Sequence, residues 1–220
     1  MAVATYTHSA LFYETNDELV DGLVPFVTGG IEADEHVVVV VSASVGETLR
    51  KRIGSSAGYD VWDSTEVYSF PLRTLAGFVE TVRAGTQGGQ PMRVAGEPIW
   101  TGRSPLEIAE WTCVEAACNV VFAGSPLRML CPYDISRLEP SVVAAARRTH
   151  PVIHQGAHVT ECSEFLPLDH QAGVRASELP RRPASCEQIS IFSAADLVPV
   201  LSSSRRSPGS KRCRELVSPT

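Results

Sequence analysis

Apolar runs without a polar face alternate along the chain with segments whose apolar positions recur at helical spacing. HVVVVVS, residues 36–42, is a continuous β-branched run, the pattern of a parallel strand covered by helices on both sides. Residues 104–122 have helical periodicity and begin with Ser104, Pro105 and Glu107, the signals of a capping box with proline at the first helical position. These patterns predict alternating strands and helices.

The alternation predicts an α/β fold in three layers, with a mainly parallel sheet and helices on both of its faces. The predicted strands are residues 8–14, 36–42, 59–62, 66–70, 92–96 and 127–134. The predicted helices are residues 16–30, with Thr15 or Asn16 as cap, and residues 44–56, 72–85, 104–122 and 140–150.

The C-terminal part of the chain differs in composition. We expect residues 1–168 to form one domain and the polar, proline-punctuated residues 169–188 to be a linker. In residues 189–220, ISIF and SAADLVPVL resemble the first strand and helix of a second domain, and the Ser-rich basic end is expected to be disordered.

Composition and charge limit the function. The chain has 220 residues, 44% of them hydrophobic, and a formal net charge of -6, which argues against nucleic acid as its partner. The first residues lack the basic and apolar regions of a signal peptide, and VVVVV is too short to span a bilayer. We therefore expect a cytoplasmic protein that does not bind membranes and whose six cysteines are reduced thiols.

Polar and aromatic side chains follow several predicted strands where those strands end. Tyr13 and Glu14 end the first predicted strand, the segment from Glu97 to Arg103 follows residues 92–96, and Tyr133 and Asp134 end the strand 127–134. The carboxyl ends of parallel strands meet at one edge, where ligands bind in open α/β sheets. These side chains could therefore line a crevice beside Trp100. The alternative is that Trp100 only covers the edge of the core and Glu97 pairs with Arg103.

Glu115 and Asn119 lie among apolar positions of the predicted helix 104–122. A buried carboxylate needs a partner or a raised pKa. Glu115 therefore either accepts hydrogen bonds from a neighbouring loop or faces a ligand. His8 precedes an apolar strand and could be either a structural histidine or a ligand contact.

Other site chemistries have weak signals. Cys113 and Cys118 are five positions apart and point in different directions on a helix. His154 and His158 fall in an apparent loop without a C-x2-C pair. Neither a phosphate-binding loop nor a nucleophile elbow is present. We expect no metal, no cofactor and no enzymatic activity, although an enzyme with a nucleophilic cysteine, Cys113 or Cys131, or with a nucleophilic carboxylate stays open as an alternative.

Five motifs occur in a characteristic order: HSALFYE, GEPIWTGRSPLEIAEW, EAACNVVF, LRMLCPYD and ARRTHP. Over roughly residues 6–168 the chain resembles the MEDS domain, a sensory domain named from methanogens, methylotrophs and the dichloromethane regulator. The resemblance implies a fold distantly similar to RecA and KaiC ATPase cores without their phosphate loop, and a role in sensing small hydrocarbon-like ligands. The matching positions are His8, Phe12, Tyr13, Gly96, Glu97, Pro98, Trp100, Arg103, Glu110, Glu115, Asn119, Cys131, Tyr133, Asp134, His150 and Pro151.

The chain departs from this pattern in two ways. Members of the family often have a histidine immediately before the position of Glu115, and this chain has Val114. In actinobacterial relatives the domain typically precedes a histidine-kinase-like ATPase domain of the anti-sigma-factor type, whose ATP-binding motifs residues 189–220 lack. We expect a truncated second domain, for which a frameshift or premature stop in the gene is one explanation.

These inferences together predict a non-enzymatic sensor of a small organic ligand in a signal-transduction regulator of the anti-sigma type. The expected ligand-binding residues are Tyr13, Glu97, Trp100, Arg103, Glu115, Tyr133 and Asp134, with His8, Asn119 and His150 behind them. The alternative function is a protein-interaction module without a small ligand. A sigma factor, an anti-sigma antagonist or a second copy of the chain is the expected protein partner.

Overall fold

The computed structural model describes residues 6–54 and 58–168, together with the backbone of two short strands at residues 187–190 and 214–217. The strands are β1 Thr7–Tyr13, β2 His36–Val41, β3 Asp60–Asp63, β4 Met92–Gly96, β5 Leu127–Asp134, β6 Val152–Gln155, β7 His158–Glu161, β8 Glu187–Ser190 and β9 Arg214–Val217. The helices are α1 Asn16–Glu32, α2 Ala43–Ile53, α3 Ser64–Val67, α4 Pro71–Gly85, α5 Pro105–Val121 and α6 Pro140–Thr149, with a 3-10 turn at Gln87–Gly89.

Seven strands form one sheet in the order β3-β2-β4-β5-β1-β6-β7. All neighbouring strands are parallel except β6 and β7, which are antiparallel. Helices α1 and α2 pack on one face, and α4, α5 and α6 pack on the other. The predicted three-layer α/β fold with a mainly parallel sheet is therefore confirmed.

Strand β2 shows why the central strands have no polar face. Val38 and Val40 pack under α4 and α5, whereas Val37, Val39 and Val41 pack under α1 and α2, and all five are fully buried. Since successive side chains of a strand point to opposite faces, a sheet covered on both sides needs apolar residues at every position.

The helix starts that the sequence predicts are present. The Thr15 side chain accepts a hydrogen bond from the Glu18 backbone N–H at 3.2 Å and caps α1. At α5, Ser104 and Glu107 each accept a hydrogen bond from the other's backbone N–H, which completes the capping box. This cap fixes where the loop after β4 ends and α5 begins.

The prediction of a strand at residues 66–70 is wrong. The segment Ser64–Val67 is the short helix α3, and the Asp63 carboxylate accepts a hydrogen bond from the Thr65 backbone N–H at 2.7 Å. This aspartate is a strong helix-start signal. Its effect outweighs the β-propensity of EVYSF.

The expected loop around His154 and His158 is also wrong, because these residues lie in a hairpin. His154 belongs to β6 and His158 to β7, and Gln155 pairs with His158 across the antiparallel ladder. Gly156, with a φ of 56°, forms the turn between the two strands.

Strands β8 and β9 form a separate parallel pair. The rest of the predicted linker at residues 169–188 and of the predicted second domain and tail at residues 189–220 lies outside the described residues. Within the described part of the chain, no helix combines the length and the apolar character needed to cross a membrane.

Candidate functional site

The ends of β1 and β4 meet through a side-chain hydrogen bond. The Tyr13 hydroxyl donates to the Glu97 carboxylate. Asp134, the last residue of β5, is the register partner of Tyr13. Burial raises the pKa of Glu97, the hydrogen bond from Tyr13 opposes this shift, and the negative charge of Asp134 adds to it. Three of the predicted site residues therefore meet at the carboxyl edge of the sheet, as the topology predicts.

Trp100 and Tyr133 lie against each other behind this edge. Their rings are stacked, with centroids 5.7 Å apart and planes inclined by 27°. Trp100 is 6% exposed and Tyr133 is 1% exposed, so the two rings fill the space between the loop and β5. Within the described residues, neither the Trp100 Nε1 nor the Tyr133 hydroxyl has a hydrogen-bond partner. The predicted juxtaposition is present, but it is closed rather than an open crevice.

Arg103 anchors the loop that carries Trp100. Its Nε donates to the Ile99 carbonyl oxygen, and its Nη2 donates to the Tyr68 carbonyl oxygen at 2.7 Å. The guanidinium lies over the Trp111 ring, 4.5 Å from the centroid.

Among the described residues, Arg103 has no ion pair with Glu97 or Glu115. The alternative in which Glu97 pairs with Arg103 is therefore wrong, because each side chain has a different partner. Three of the expected ligand-binding residues, Arg103, Glu97 and Glu115, are therefore not joined by direct ion pairs in the described part of the chain.

A second group of polar side chains is buried deeper, between the sheet and helices α5 and α6. It contains His8 on β1, Glu115 on α5, Cys131 on β5 and His150 at the end of α6, all buried. The Glu115 Oε2 atom lies 3.4 Å from the Nε2 atoms of both His8 and His150. The Cys131 Sγ atom lies 3.4 Å from the His8 Nε2. We call these four residues the buried cluster.

Hydrogen bonds on the far side of each imidazole fix its orientation. The Asn119 amide nitrogen donates to the Thr149 carbonyl oxygen at 2.8 Å, so its Oδ1 faces the His8 Nδ1 at 3.2 Å and accepts from it. The His150 Nδ1 donates to the Ala146 carbonyl oxygen at 2.8 Å. Both Nε2 atoms are therefore directed at Glu115.

The charge state of the cluster follows from burial and these contacts. Burial and the neighbouring His150 lower the pKa of His8, contacts with Glu115 and Asn119 offset part of this shift, and the resulting pKa is about 4. Burial alone would raise the pKa of Glu115, but its contacts with His150 and His8 outweigh burial and lower the pKa to about 2. The contact between Glu115 and His8 therefore favours the charged form of both groups, whereas burial opposes it.

The Cys131 thiol belongs to the same environment. Burial raises its pKa, and the negative charge of Glu115 raises it further. Reactive cysteines need the opposite environment, one that is electropositive and partly exposed. The surroundings of Cys131 therefore do not activate it as a nucleophile.

Aromatic contacts connect the buried cluster to Trp100. The Tyr133 ring meets the His150 ring edge-on at 5.5 Å between centroids, and the His150 and His8 rings are 4.1 Å apart. This region also holds most of the buried polar atoms without a hydrogen-bond partner: the Nε1 atoms of Trp100 and Trp111, the Tyr133 hydroxyl, the Glu115 Oε2 and the His150 Nε2. Buried polar groups are nearly always paired, so such a concentration is typical of a functional site.

The predicted site residues therefore fall into two connected groups. Tyr13, Glu97 and Asp134 lie at the carboxyl edge of the sheet, with Trp100 and Tyr133 behind them. Glu115 lies in the buried cluster, together with the three residues expected behind the ligand, His8, Asn119 and His150.

Sequence reasoning missed the contribution of Cys131 to this cluster, as well as the contacts of Trp111 and Tyr68 with Arg103. The available signal was that all four cluster residues lie within the five motifs quoted above.

A surface hollow of about 400 Å³ lies elsewhere, beside α1 and the turn between β6 and β7. Its lining includes Glu18, Pro25 and Gly156, and it contains none of the predicted site residues.

Comparisons with known proteins give one match. The family model MEDS, described as MEthanogen/methylotroph, DcmR Sensory domain, matches residues 7–151, which is more than half of the chain. No curated protein and no solved structure gave a match. Both groups of site residues fall within the matched range, and the chain belongs to the MEDS family of sensory domains.

Proposed function

We propose that this chain is a non-enzymatic sensory domain that binds a small organic molecule beside Trp100 and Tyr133. The observation that carries the proposal is the buried stack of these two rings, whose indole N–H and hydroxyl have no hydrogen-bond partner in the part of the chain that the structure describes. A buried polar group without a partner costs about 1–3 kcal/mol. A ligand with an apolar body and one polar atom would remove that cost while keeping the aromatic contact.

The loop from Glu97 to Ser104 is the element that would respond to the ligand. It carries Trp100, its turn contains Gly102 with a φ of 82°, and Arg103 attaches it to Tyr68. Because Trp100 fills the space beside Tyr133, a ligand would have to displace the indole or bind a minor open form. A ligand that favours one loop position shifts the population of the two forms, which is how occupancy becomes a signal.

The output of this signal is proposed to be regulatory. We propose that the change in the loop alters contact with a partner protein in a cytoplasmic signal-transduction pathway of the anti-sigma type. Membership of a sensory family supports the sensing role. The nature of the partner is an expectation from the sequence resemblance.

A thermal-shift screen with short-chain alcohols, aldehydes, ketones and haloalkanes tests the ligand site. A compound that binds the native state raises the melting temperature, by an amount equivalent to about 2.7 kcal/mol at 100 times its dissociation constant. We expect Trp100→Phe and Tyr133→Phe to reduce the shift. Trp62→Phe, which changes a half-buried indole on β3, should keep it. Equal shifts in all four proteins would place the ligand elsewhere and contradict the proposal.

A second candidate function is a protein-interaction module without a small ligand. The observation that favours it is that the space beside Tyr133 is occupied by Trp100. In this case no compound raises the melting temperature. Co-purification with a sigma factor, an anti-sigma antagonist or a second copy of the chain would then occur without any added compound.

A further inference from the structure

We propose that His8, Glu115, Cys131 and His150 form a closed, four-ligand binding site for a divalent transition-metal ion, and that the ion is Zn²⁺. This inference goes beyond the proposed sensing function and does not depend on it. It is carried by the distances between the ligand atoms of the buried cluster and by the orientations of its imidazoles.

The spacing of the ligand atoms fits a tetrahedral ion. Zinc binds nitrogen and oxygen at about 2.1 Å and sulfur at about 2.3 Å, so tetrahedral ligand atoms lie about 3.4–3.6 Å apart. In the buried cluster, the Glu115 Oε2 lies 3.4 Å from the Nε2 atoms of His8 and His150, and the Cys131 Sγ lies 3.4 Å from the His8 Nε2. All four ligand atoms lie within 4.8 Å of one another.

The imidazoles are held in the orientation that a metal requires. Metal-binding histidines usually donate one ring N–H to a carbonyl or amide oxygen and coordinate through the other nitrogen. His8 donates through Nδ1 to Asn119, and His150 donates through Nδ1 to the Ala146 carbonyl oxygen. The tautomers set by these bonds leave a lone pair on each Nε2, directed at Glu115.

Without a cation, the same contacts bring acceptors together. The Glu115 carboxylate would face two Nε2 lone pairs, and neither the Glu115 Oε2 nor the His150 Nε2 has a hydrogen-bond partner among residues 6–54 and 58–168. Either a proton or a cation must lie between these atoms. A Zn²⁺ ion coordinates all four groups at once, whereas a proton satisfies only one pair.

Charge balance also favours a divalent ion. A Glu115 carboxylate and a Cys131 thiolate carry two negative charges, the neutral imidazoles carry none, and the site is buried. Zn²⁺ would make the site neutral, which removes the penalty for burying two anions. A bound metal also deprotonates a coordinating thiol, so burial of Cys131 is compatible with its role as a ligand.

The donor set selects zinc rather than magnesium or calcium, because thiolate and imidazole suit zinc whereas the hard cations prefer oxygen. Structural zinc sites have four protein ligands and no coordination position open to water, and the buried cluster has this arrangement. The ion would tie β1, β5, α5 and the end of α6 together. It would also fix the His150 ring against which Tyr133 packs.

Metal binding to the full chain tests this proposal. The chain is purified without a histidine tag under reducing conditions, stripped with a chelator, and titrated with Zn²⁺ or with Co²⁺ as a spectroscopic probe. We expect one equivalent per chain, a higher melting temperature with zinc, and cobalt spectra with intense tetrahedral bands and a thiolate charge-transfer band.

Matched variants locate the ion. Cys131→Ala should remove the cobalt thiolate band, and His150→Gln should remove the tetrahedral bands. Both variants should weaken zinc binding most strongly. Asn119→Leu, which removes the acceptor that positions His8, should weaken zinc binding by about 10- to 100-fold. Two control variants should leave binding unchanged. Cys118→Ala changes a buried cysteine outside the cluster, and His158→Ala changes an exposed histidine of the β6–β7 hairpin.

Several results would overturn the proposal. One is folded wild-type protein that binds well below one equivalent of zinc and whose melting temperature zinc does not raise. Another is a thiolate band that survives Cys131→Ala or disappears in Cys118→Ala. If the cluster variants do not fold, the zinc stoichiometry and the zinc-induced thermal shift of the wild-type chain test the proposal. His158→Ala then serves as the control, because unchanged binding in this variant excludes adventitious binding at the hairpin. The organic-ligand screen does not enter any of these outcomes, so the two proposals fail separately.

Discussion

The indole of Trp100 stacks on the ring of Tyr133 at 5.7 Å between centroids, although Trp100 lies in the loop after β4 and Tyr133 is the second-to-last residue of β5. The contact joins the loop at the edge of the sheet to the interior, because Tyr133 also packs edge-on against His150. The Tyr133 ring therefore contacts both the loop and the buried cluster. This contact gives a physical connection between the proposed ligand site at the edge of the sheet and the buried cluster in the core.

Removing the unpartnered Tyr133 hydroxyl is expected to increase stability, whereas most substitutions of buried residues decrease it. Tyr133→Phe removes a buried polar atom that makes no hydrogen bond, and we expect it to stabilise the protein by about 1 kcal/mol. Tyr13→Phe is the matched comparison, since it removes a hydroxyl that donates to Glu97, and it should destabilise the protein by about 1–3 kcal/mol. Urea denaturation measures both changes. A loss of stability in Tyr133→Phe would show that its hydroxyl has a partner.

The ion pair of Arg93 and Glu35 anchors the end of α1 to β4. The Arg93 Nε donates to the Glu35 carboxylate, and its Nη1 donates to the Phe26 carbonyl oxygen at 2.8 Å. Removing one partner of a buried pair costs about 3–5 kcal/mol. Arg128 also lies 3.5 Å from Glu35 and would compensate in part, so we expect Arg93→Ala to cost about 3 kcal/mol in denaturant unfolding.

The exposed pair of Arg52 and Asp21 is the control for this prediction. Its side chains are 54% and 63% exposed, and exposed pairs contribute about 0–1 kcal/mol. Arg52→Ala should therefore change the free energy of unfolding by much less than Arg93→Ala. Equal costs would mean that burial does not determine the strength of these ion pairs.

Much of the fold follows from the sequence because the central strands are covered on both faces. The runs at β2 and β5 have few or no polar positions, and this pattern predicted both strands well. The β6–β7 hairpin was not predicted. Its strands are four residues each, and all four residues of β7 are exposed, so no hydrophobic periodicity marks it.

The candidate site was predictable only where topology alone determines proximity. Residues after parallel strands must lie at one edge, which is why Tyr13, Glu97 and Asp134 were expected together. The buried cluster depends on details that a single sequence does not contain. The register that pairs Ala10 with Cys131 places His8 and Cys131 on the same face, and the phase of α5 brings Glu115 above them.

Gly96, at the end of β4, allows close approach of the Tyr68 hydroxyl. A Cβ atom at this position would collide with the hydroxyl oxygen, and Tyr68 is itself buried. We expect Gly96→Ala to destabilise the protein by about 1–3 kcal/mol, since overpacking a buried contact forces other groups to move. The double variant with Tyr68→Phe removes the colliding atom and should recover part of the loss. A double-mutant cycle with no coupling energy would contradict this contact.

The pKa of Glu97 predicts how stability depends on pH. Burial raises this pKa above its ordinary value of 4.5, and the charge of Asp134 adds to the shift. A carboxyl with a raised pKa in the folded state binds its proton more tightly there. Its contribution to stability is therefore present below the unfolded pKa and is lost as the pH rises through the folded pKa.

Glu97→Gln removes this titration while keeping an oxygen that can accept from Tyr13. The stability of Glu97→Gln relative to wild type should therefore increase as the pH rises from 4.5 and level off above the folded pKa of Glu97. Asp134→Asn removes the nearby negative charge and should make the pH-dependent difference smaller. Denaturant unfolding at a series of pH values measures both effects. A constant difference would show that the Glu97 pKa is not shifted on folding, and a difference that falls with rising pH would show that the hydrogen bond from Tyr13 outweighs burial; either result would contradict the prediction.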